Sequence, residues 1–397
     1  MSESVLKLHP GREKSLRRRH AWIFSGAVTE LSGNPVPGET VTVVDSNGRF
    51  LARAAWSPDS QLVARVWSFD ENEAVDDAFF ARKIRRAIEF RRFLGYDDPE
   101  GGCRLIFSEA DELPGLVVDR YGEFLVMQVL SAGVEFHRDR IVRLLAETTG
   151  ARGIFERSDV GIRAREGLAG RTGLLYGEQP PNPVIIRENG ARYAVDIRHG
   201  QKSGFYFDQR LSREVVAQFA AGRSVLNAFS YTGAFAVTAL LAGAEHVINV
   251  DSSAPALRQA AHNLEMNHIA PDRFENLTAD VFETLRKFSA EGRRFDMVVL
   301  DPPKFIESKR VLMQGSRAYQ DIARLGFRLL NPGGLLVNFS CSGLMTPELF
   351  QKITADAAVE AGVHGVICRR LEQSPDHPMS LAVPEGFYLK GLVTRID

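Results

Sequence analysis

Two short stretches carry side chains suited to group transfer onto an aromatic ring. They are Asp301-Pro302-Pro303-Lys304 and Asn338-Phe339-Ser340-Cys341-Ser342-Gly343. Each ends an apolar run, "FDMVVL" in one case and "GGLLV" in the other, with the character of a buried strand. If the two runs are neighbours in one parallel sheet, their ends lie about 5 Å apart, and a carboxylate and a thiol face one pocket. The two prolines donate no backbone hydrogen bond and stiffen the exit from the sheet. A free thiol is only a few per cent ionised near neutrality, so a site that uses it must lower its pKa or deprotonate it during attack. Cys341 lies after its apolar run, between two hydroxyl residues, whereas a packing cysteine belongs inside such a run. Cys103 in "GGCRLIF" and Cys368 in "GVICRR" read as core. The three cysteines are far apart and form neither a CxxC pair nor a zinc spacing with histidines, so neither a disulfide framework nor a metal site is expected.

Three further strand ends could hold a ligand. The turn Asn227-Ala228-Phe229-Ser230-Tyr231-Thr232-Gly233 joins the run "SVLNA" to an apolar helix and lets backbone approach a ligand closely. It is not GxGxxG, which argues against a nicotinamide cofactor. Asp251 closes "HVINVD", where a carboxylate accepts both hydroxyls of a ribose or caps the next helix. Asp280 in "LTAD" repeats that arrangement and suits an adenine amino group. Tyr231, Phe205 and Tyr206 are aromatic residues that either stack on a ligand or pack in the core. An aromatic following "DPP" would stack on a base whose exocyclic amine the loop grips, but Lys304 intervenes before Phe305. Pro302 and Lys304 are the expected substrate contacts of this loop.

These ends need an open sheet to gather them. After "ARYAVDIRHGQKSGFYFDQR", which reads as a hairpin leading into a helix, the pattern alternates strand and helix, with strands apolar on both faces, which predicts a doubly wound parallel sheet with ligands outside its carboxyl edge. Upstream, "TVTVV", "FLARAAW" and "QLVARVW", separated by Asn47-Gly48 and Ser57-Pro58-Asp59-Ser60, predict a β meander in a module of residues 1–71. Residues 72–185 read as a central α+β domain. It opens with a helix capped by Asp76 or Asp77, which runs to Phe93 with Ile84, Ile88 and Phe93 as its apolar stripe. The net charge is −1, yet basic residues cluster. Arg17, Arg18 and Arg19 stand near the start, and Arg82, Lys83, Arg85, Arg86, Arg91 and Arg92 share the helix; each cluster is either a polyanion contact or a solvated face. No apolar stretch has signal-peptide or membrane-span length, so a cytoplasmic chain is expected.

The series "NAFSYTGAF", "VINVD", "VVLDPPKF" and "NFSCSG", preceded by "QKSGFYFDQR", resembles the RlmI family of S-adenosylmethionine-dependent methyltransferases, which act on C5 of a cytosine in large-subunit ribosomal RNA. The likeness runs over essentially the whole chain. It implies an N-terminal PUA domain, a central α+β domain, and a C-terminal Rossmann-like class I methyltransferase domain over residues 186–397. It also implies that Asn227, Phe229, Tyr231, Thr232, Gly233, Asp251 and Asp280 hold S-adenosylmethionine, that Asp301 meets the target base, and that Cys341 is the nucleophile. Arg17, Arg18 and Arg19 would hold the RNA. Some RNA cytosine methyltransferases have a second cysteine after the first proline of this loop; here the position is Pro303, which leaves the base that removes the C5 proton unassigned. Two other readings stay open: a methyltransferase acting on a base nitrogen such as guanine N7, which needs no thiol, and a non-catalytic RNA-binding assembly factor. Self-association as a homodimer also stays open.

Overall fold

The computed structural model describes residues 4–397. The chain divides into two compact units. One is formed by residues up to Ile186 with Val195–Phe207 and Pro375–Gly386, and the other by Arg187–Ala194, Asp208–Ser374 and Phe387–Asp397.

In the first unit, β1 (Val5–Leu8), helix α1 (Lys14–Arg17), β2 (Trp22–Ile23), β3 (Val28–Ser32), β4 (Thr40–Val44), β5 (Phe50–Trp56) and β6 (Ala64–Ser68) build a sheet of order β2-β6-β5-β4-β1-β3. The expected meander is β4-β5-β6, antiparallel throughout. Helix α2 (Asp77–Phe93) follows, its first turn capped by Asp76, which accepts a hydrogen bond from the Phe79 amide. Its buried stripe is Phe79, Phe80, Ile84, Ala87 and Arg91, and Phe93 is 83% exposed. The expectation for Phe93 fails because the helical period from Phe80 and Ile84 reaches Ala87 and then Arg91. Arg91 sits in the apolar stripe because Asp111 and the carbonyls of Arg104 and Asp376 take up its guanidinium. It is therefore lost to the basic face, and Arg82, Lys83 and Arg86 on the same helix pair with Glu73 and Glu112.

A second sheet, of order β11-β10-β9-β8-β7, comprises β7 (Gly102–Phe107), β8 (Leu116–Tyr121), β9 (Phe124–Val129), β10 (Gly153–Ser158) and β11 (Arg171–Gly177). Helices α3 (Ala132–Phe136) and α4 (Arg138–Thr149) lie between β9 and β10 in the chain. Strands β12 (Val184–Glu188) and β13 (Ala191–Val195) follow, and the division between the units passes through them.

The second unit opens with α5 (Arg210–Gln218) and then alternates β14 (Ser224–Ala228), α6 (Ala234–Leu241), β15 (His246–Asp251), α7 (Ala254–Met266), β16 (Phe274–Thr278), α8 (Val281–Ala290), β17 (Phe295–Leu300), α9 (Leu312–Arg328), β18 (Leu330–Ser340), α10 (Pro347–Ala361), β19 (Gly365–Glu372) and β20 (Lys390–Ile396). The sheet order is β16-β15-β14-β17-β18-β20-β19. After β14 the chain winds to one side through β15 and β16, then returns to the other through β17 and β18. The switch point therefore falls between β14 and β17, the place where sheets of this kind bind their ligands. The five strands from β14 to β18 are parallel, but β20 runs antiparallel to both β18 and β19. The sheet is thus not wholly parallel, and its last pair had no separate sequence expectation. Its core joins Leu226, Val250, Val298, Leu300 and Leu336 to Ile322, Phe327 and Ile353 of the flanking helices. Cys368, expected in the core, is only half-buried, because β19 is the edge strand; Cys103 is fully buried.

Candidate active site at the carboxyl edge of the parallel sheet

Five carboxyl ends meet in the order β16, β15, β14, β17, β18, and they carry Asp280, Asp251, Asn227 with its turn, Asp301 and Cys341. Register aligns them. Asn227 faces Asn249, which faces Asn276, and their side-chain amides bond in series, Asn227 Nδ2 to Asn249 Oδ1 at 2.8 Å and Asn249 Nδ2 to Asn276 Oδ1 at 2.9 Å. The ladder locks the three strand ends together and leaves Asn227 Oδ1 buried without a protein partner.

The turn after β14 takes left-handed backbone at Phe229 (φ 60°), Tyr231 (φ 48°) and Gly233 (φ 74°). At Gly233 the conformation and the space both require glycine, since a Cβ there would lie 2.9 Å from Ala260 Cβ. Asp251 fastens the turn from the next strand: its Oδ2 accepts the Tyr231 amide at 2.8 Å and its Oδ1 the Ser253 amide at 2.8 Å. Each carboxylate oxygen keeps a second lone pair, so both remain able to receive a hydroxyl. Ser230 Oγ is buried with no hydrogen-bond partner. Two orphaned acceptors beside a half-buried carboxylate at a switch point are what a polar, adenosine-bearing cofactor would complete. Thr232 is held through its carbonyl, which accepts Asn263 Nδ2 at 3.0 Å. Asp280 is exposed and caps α8, with Oδ1 accepting the Glu283 amide at 2.9 Å.

The loop after β17 and the segment after β18 are neighbours, as expected, with Leu300 opposite Asn338 in the parallel ladder. Asp301 is half-buried and its amide bonds the Ala228 carbonyl at 3.4 Å, tying the loop to the end of β14. Pro302 is buried, whereas Pro303 and Lys304 are exposed. Cys341 is half-buried between Ser340 and Ser342, both fully buried. Ser342 is held from several sides. Its Oγ takes the Ile306 amide at 3.3 Å and pairs with the Tyr319 hydroxyl at 3.1 Å, while its carbonyl accepts the Met345 amide at 3.0 Å and Lys390 Nζ at 2.7 Å. The Ile306 bond joins the "DPPKF" loop to the cysteine segment, so the thiol and the carboxylate stand on one braced frame. An aromatic row supports it, with Phe229, Phe282, Phe305 and Tyr319 at successive centroid distances of 6.2, 5.9 and 4.8 Å. Burial raises the Tyr319 phenol above its ordinary range, and charge at Cys341 pushes the same way.

Tyr319 and Lys390 had no sequence expectation. Only Lys390 left a trace, as a charged residue inside the apolar run "FYLKGLV". Phe205 and Tyr206 belong to the first unit; Phe205 is buried against Phe207, and the Tyr206 hydroxyl bonds Gln201. In the same unit Arg17 and Arg19 line an open depression of about 310 Å³ with Asp45, Arg49, Phe50 and Phe69. Arg17 pairs with Asp45 at 3.5 Å, Arg19 lies 4.9 Å above the Phe69 ring, and Arg18 is exposed. No helix among the described residues is long and apolar enough to cross a membrane.

Comparison with known proteins bears on both units. A family model described as S-adenosylmethionine-dependent methyltransferase matches residues 165–394, and one described as PUA-like domain matches residues 6–69. Ribosomal RNA large subunit methyltransferase I of Tolumonas auensis is 51% identical over 398 residues, covering 100% of both chains. The protein of the same name from Aeromonas salmonicida is 51% identical over 385 residues, 97% of each. A solved chain from Streptococcus mutans, described as a SAM-dependent methyltransferase, has a TM-score of 0.84 at 23% identity, covering 98% of this chain and 99% of its own. Another, described as a methyltransferase complexed with SAH, has the same score and identity over all of both chains. At that identity the structural likeness is one of fold.

Proposed function

Because this chain belongs to the family of ribosomal RNA large subunit methyltransferase I, with a PUA-like N-terminal domain and an S-adenosylmethionine-dependent methyltransferase domain, we propose that it methylates C5 of a cytosine in large-subunit ribosomal RNA through a covalent bond from Cys341 to C6. The observation that carries this reading is the half-exposed thiol held between two buried serines, on a segment hydrogen-bonded to the loop that Asp301 begins.

The chemistry explains the need for a thiol. C5 of cytosine is too weak a nucleophile to attack a sulfonium methyl, but addition of sulfur at C6 turns C5 into an enamine carbon. S-adenosylmethionine supplies the methyl group when bound. Asp251 would receive its ribose hydroxyls, the turn from Asn227 through Phe229, Tyr231 and Thr232 to Gly233 would hold it, and Asp280 would lie beside its adenine. Asp301 accepts a hydrogen bond from the target base and stabilises charge that develops on the ring, while Pro302 and Lys304 shape the wall the base meets. Arg17, Arg18 and Arg19 contact RNA phosphates. The order of modules is an RNA-binding domain over 1–71, a central domain over 72–185 and the transferase over 186–397, working in the cytoplasm.

The test is to identify the product. Labelled methyl from S-adenosylmethionine, transferred to large-subunit ribosomal RNA and recovered after digestion to nucleosides, is expected in 5-methylcytidine; label in a guanosine or in N4-methylcytidine overturns the reading. In the same assay, reversing the charge of Arg17, Arg18 and Arg19 raises the apparent KM for RNA and flattens its salt dependence, with the KM for cofactor unchanged.

A further inference from the structure

We propose that Lys390 is the positioning residue that keeps Cys341 as a reactive thiolate, its ammonium group set behind the cysteine segment by β20 and fixed to the Ser342 carbonyl. This rests on the reading of Cys341 as the nucleophile, and it assigns a role to a residue on the one antiparallel strand of the sheet.

The geometry is unusual for a lysine. Lys390 is 4% exposed, and its strand pairs it with Ser340, the residue before Cys341, while its Nζ bonds the carbonyl of Ser342, the residue after it, at 2.7 Å. The lysine therefore meets the residues on either side of the cysteine, one through its backbone register and the other through its ammonium. Buried ammonium groups are costly unless something nearby compensates them. One carbonyl and the Phe387 ring, 5.5 Å from Nζ, are modest compensation. The charged and titratable neighbours on the surrounding elements are few. Glu372 of β19 stands opposite Lys390 in the ladder and is exposed, Lys304 repels it from the loop after β17, and Asp301 follows β17, one strand beyond β18. Tyr319 of α9 faces the cysteine side. The group whose charge favours the ammonium is Cys341. Burial lowers the amine to about 8, Cys341 opposes that shift and Lys304 adds to it. The attraction is reciprocal: whatever thiolate charge does for the ammonium, the ammonium does for the thiolate.

Proton balance follows from these values. Below about pH 8 the amine already holds its proton, and the thiol proton leaves to water. The product is a thiolate beside an ammonium, ready to attack C6.

The experiment measures the thiol itself in the full-length protein, without RNA. The rate at which iodoacetamide alkylates the Cys341 peptide, followed by mass spectrometry across pH, gives the ionisation midpoint. In the parent it is expected below the ordinary thiol value of about 8.5. Lys390→Gln keeps a donor for the Ser342 carbonyl but removes the charge, and should raise the midpoint by about one unit, a roughly tenfold slower alkylation at pH 7. Lys390→Arg keeps the charge and should restore the low midpoint. A parent-like midpoint in Lys390→Gln overturns the proposal, as does a raised one in Lys390→Arg that still binds S-adenosylmethionine normally. Failure of the covalent mechanism reads out separately: Cys341→Ala would then still methylate RNA, whatever the midpoint.

Discussion

Cys341→Ala is expected to abolish methyl transfer while leaving S-adenosylmethionine affinity within about twofold. The expected fall in kcat is about a thousandfold or more, since without sulfur at C6 the ring carbon that must attack is no longer an enamine. Cofactor binding should survive because the strand ends assigned to it, β14 and β15, are separated from β18 by β17. With strands about 4.8 Å apart, Cys341 lies about 10 Å from the β14 turn. Stability changes little, because the side chain is half-exposed and its neighbours Ser340 and Ser342 are held by their own hydrogen bonds. Steady-state transfer to RNA, with calorimetric titration of the cofactor, checks both halves. Normal turnover by the alanine variant would return Cys341 to the status of ordinary packing.

The second large effect is expected at Asp251. Its carboxylate fixes the turn after β14 through the Tyr231 amide and the start of α7 through the Ser253 amide, and its remaining lone pairs are the acceptors assigned to the ribose. Asp251→Ala would therefore remove the assigned ribose contact and the brace of the turn together. Hydrogen bonds to a charged group contribute about 1.5 to 3 kcal/mol, so the cofactor Kd should rise roughly ten- to 150-fold. Asp251→Asn keeps one acceptor but turns an NH2 toward a backbone N–H, and should fall between parent and alanine. Equal affinities in all three proteins would remove Asp251 from the cofactor site.

Much of this site was legible because it lies along the chain in order. In a parallel sheet every strand ends on the same edge, so an apolar run followed by Asp251, Asp280, Asp301 or Cys341 already says which side of the domain each faces. Adjacency was less secure: that β17 and β18 are neighbours was a condition in the sequence and became a register in the structure, Leu300 opposite Asn338. What stayed hidden arrives from far along the chain. Lys390 is 49 positions after Cys341, on a strand that turns antiparallel, and no periodicity within "FYLKGLV" says which partner it meets. Ser342 looked like a flanking hydroxyl until Ile306, Tyr319 and Lys390 were seen to converge on it. The misplaced Phe93 has a local cause: a helix stripe read by residue type passes over an arginine, although a buried acid such as Asp111 can seat one there. Cys368 was misread for the converse reason, since an apolar strand at a sheet edge exposes what the same run would bury at its centre.

The central claim is a bond between Cys341 and the base, and RNA carrying 5-fluorocytosine at the target tests it most directly. After methyl transfer the fluorine cannot leave C5 as a cation, so the elimination that frees the enzyme is blocked. A protein–RNA adduct that survives denaturant should accumulate only when S-adenosylmethionine is present, should map to the peptide containing Cys341, and should be absent from Cys341→Ala. An adduct on Cys103 or Cys368, or methyl transfer to such RNA with no adduct at all, would contradict the covalent mechanism and favour methylation at a base nitrogen.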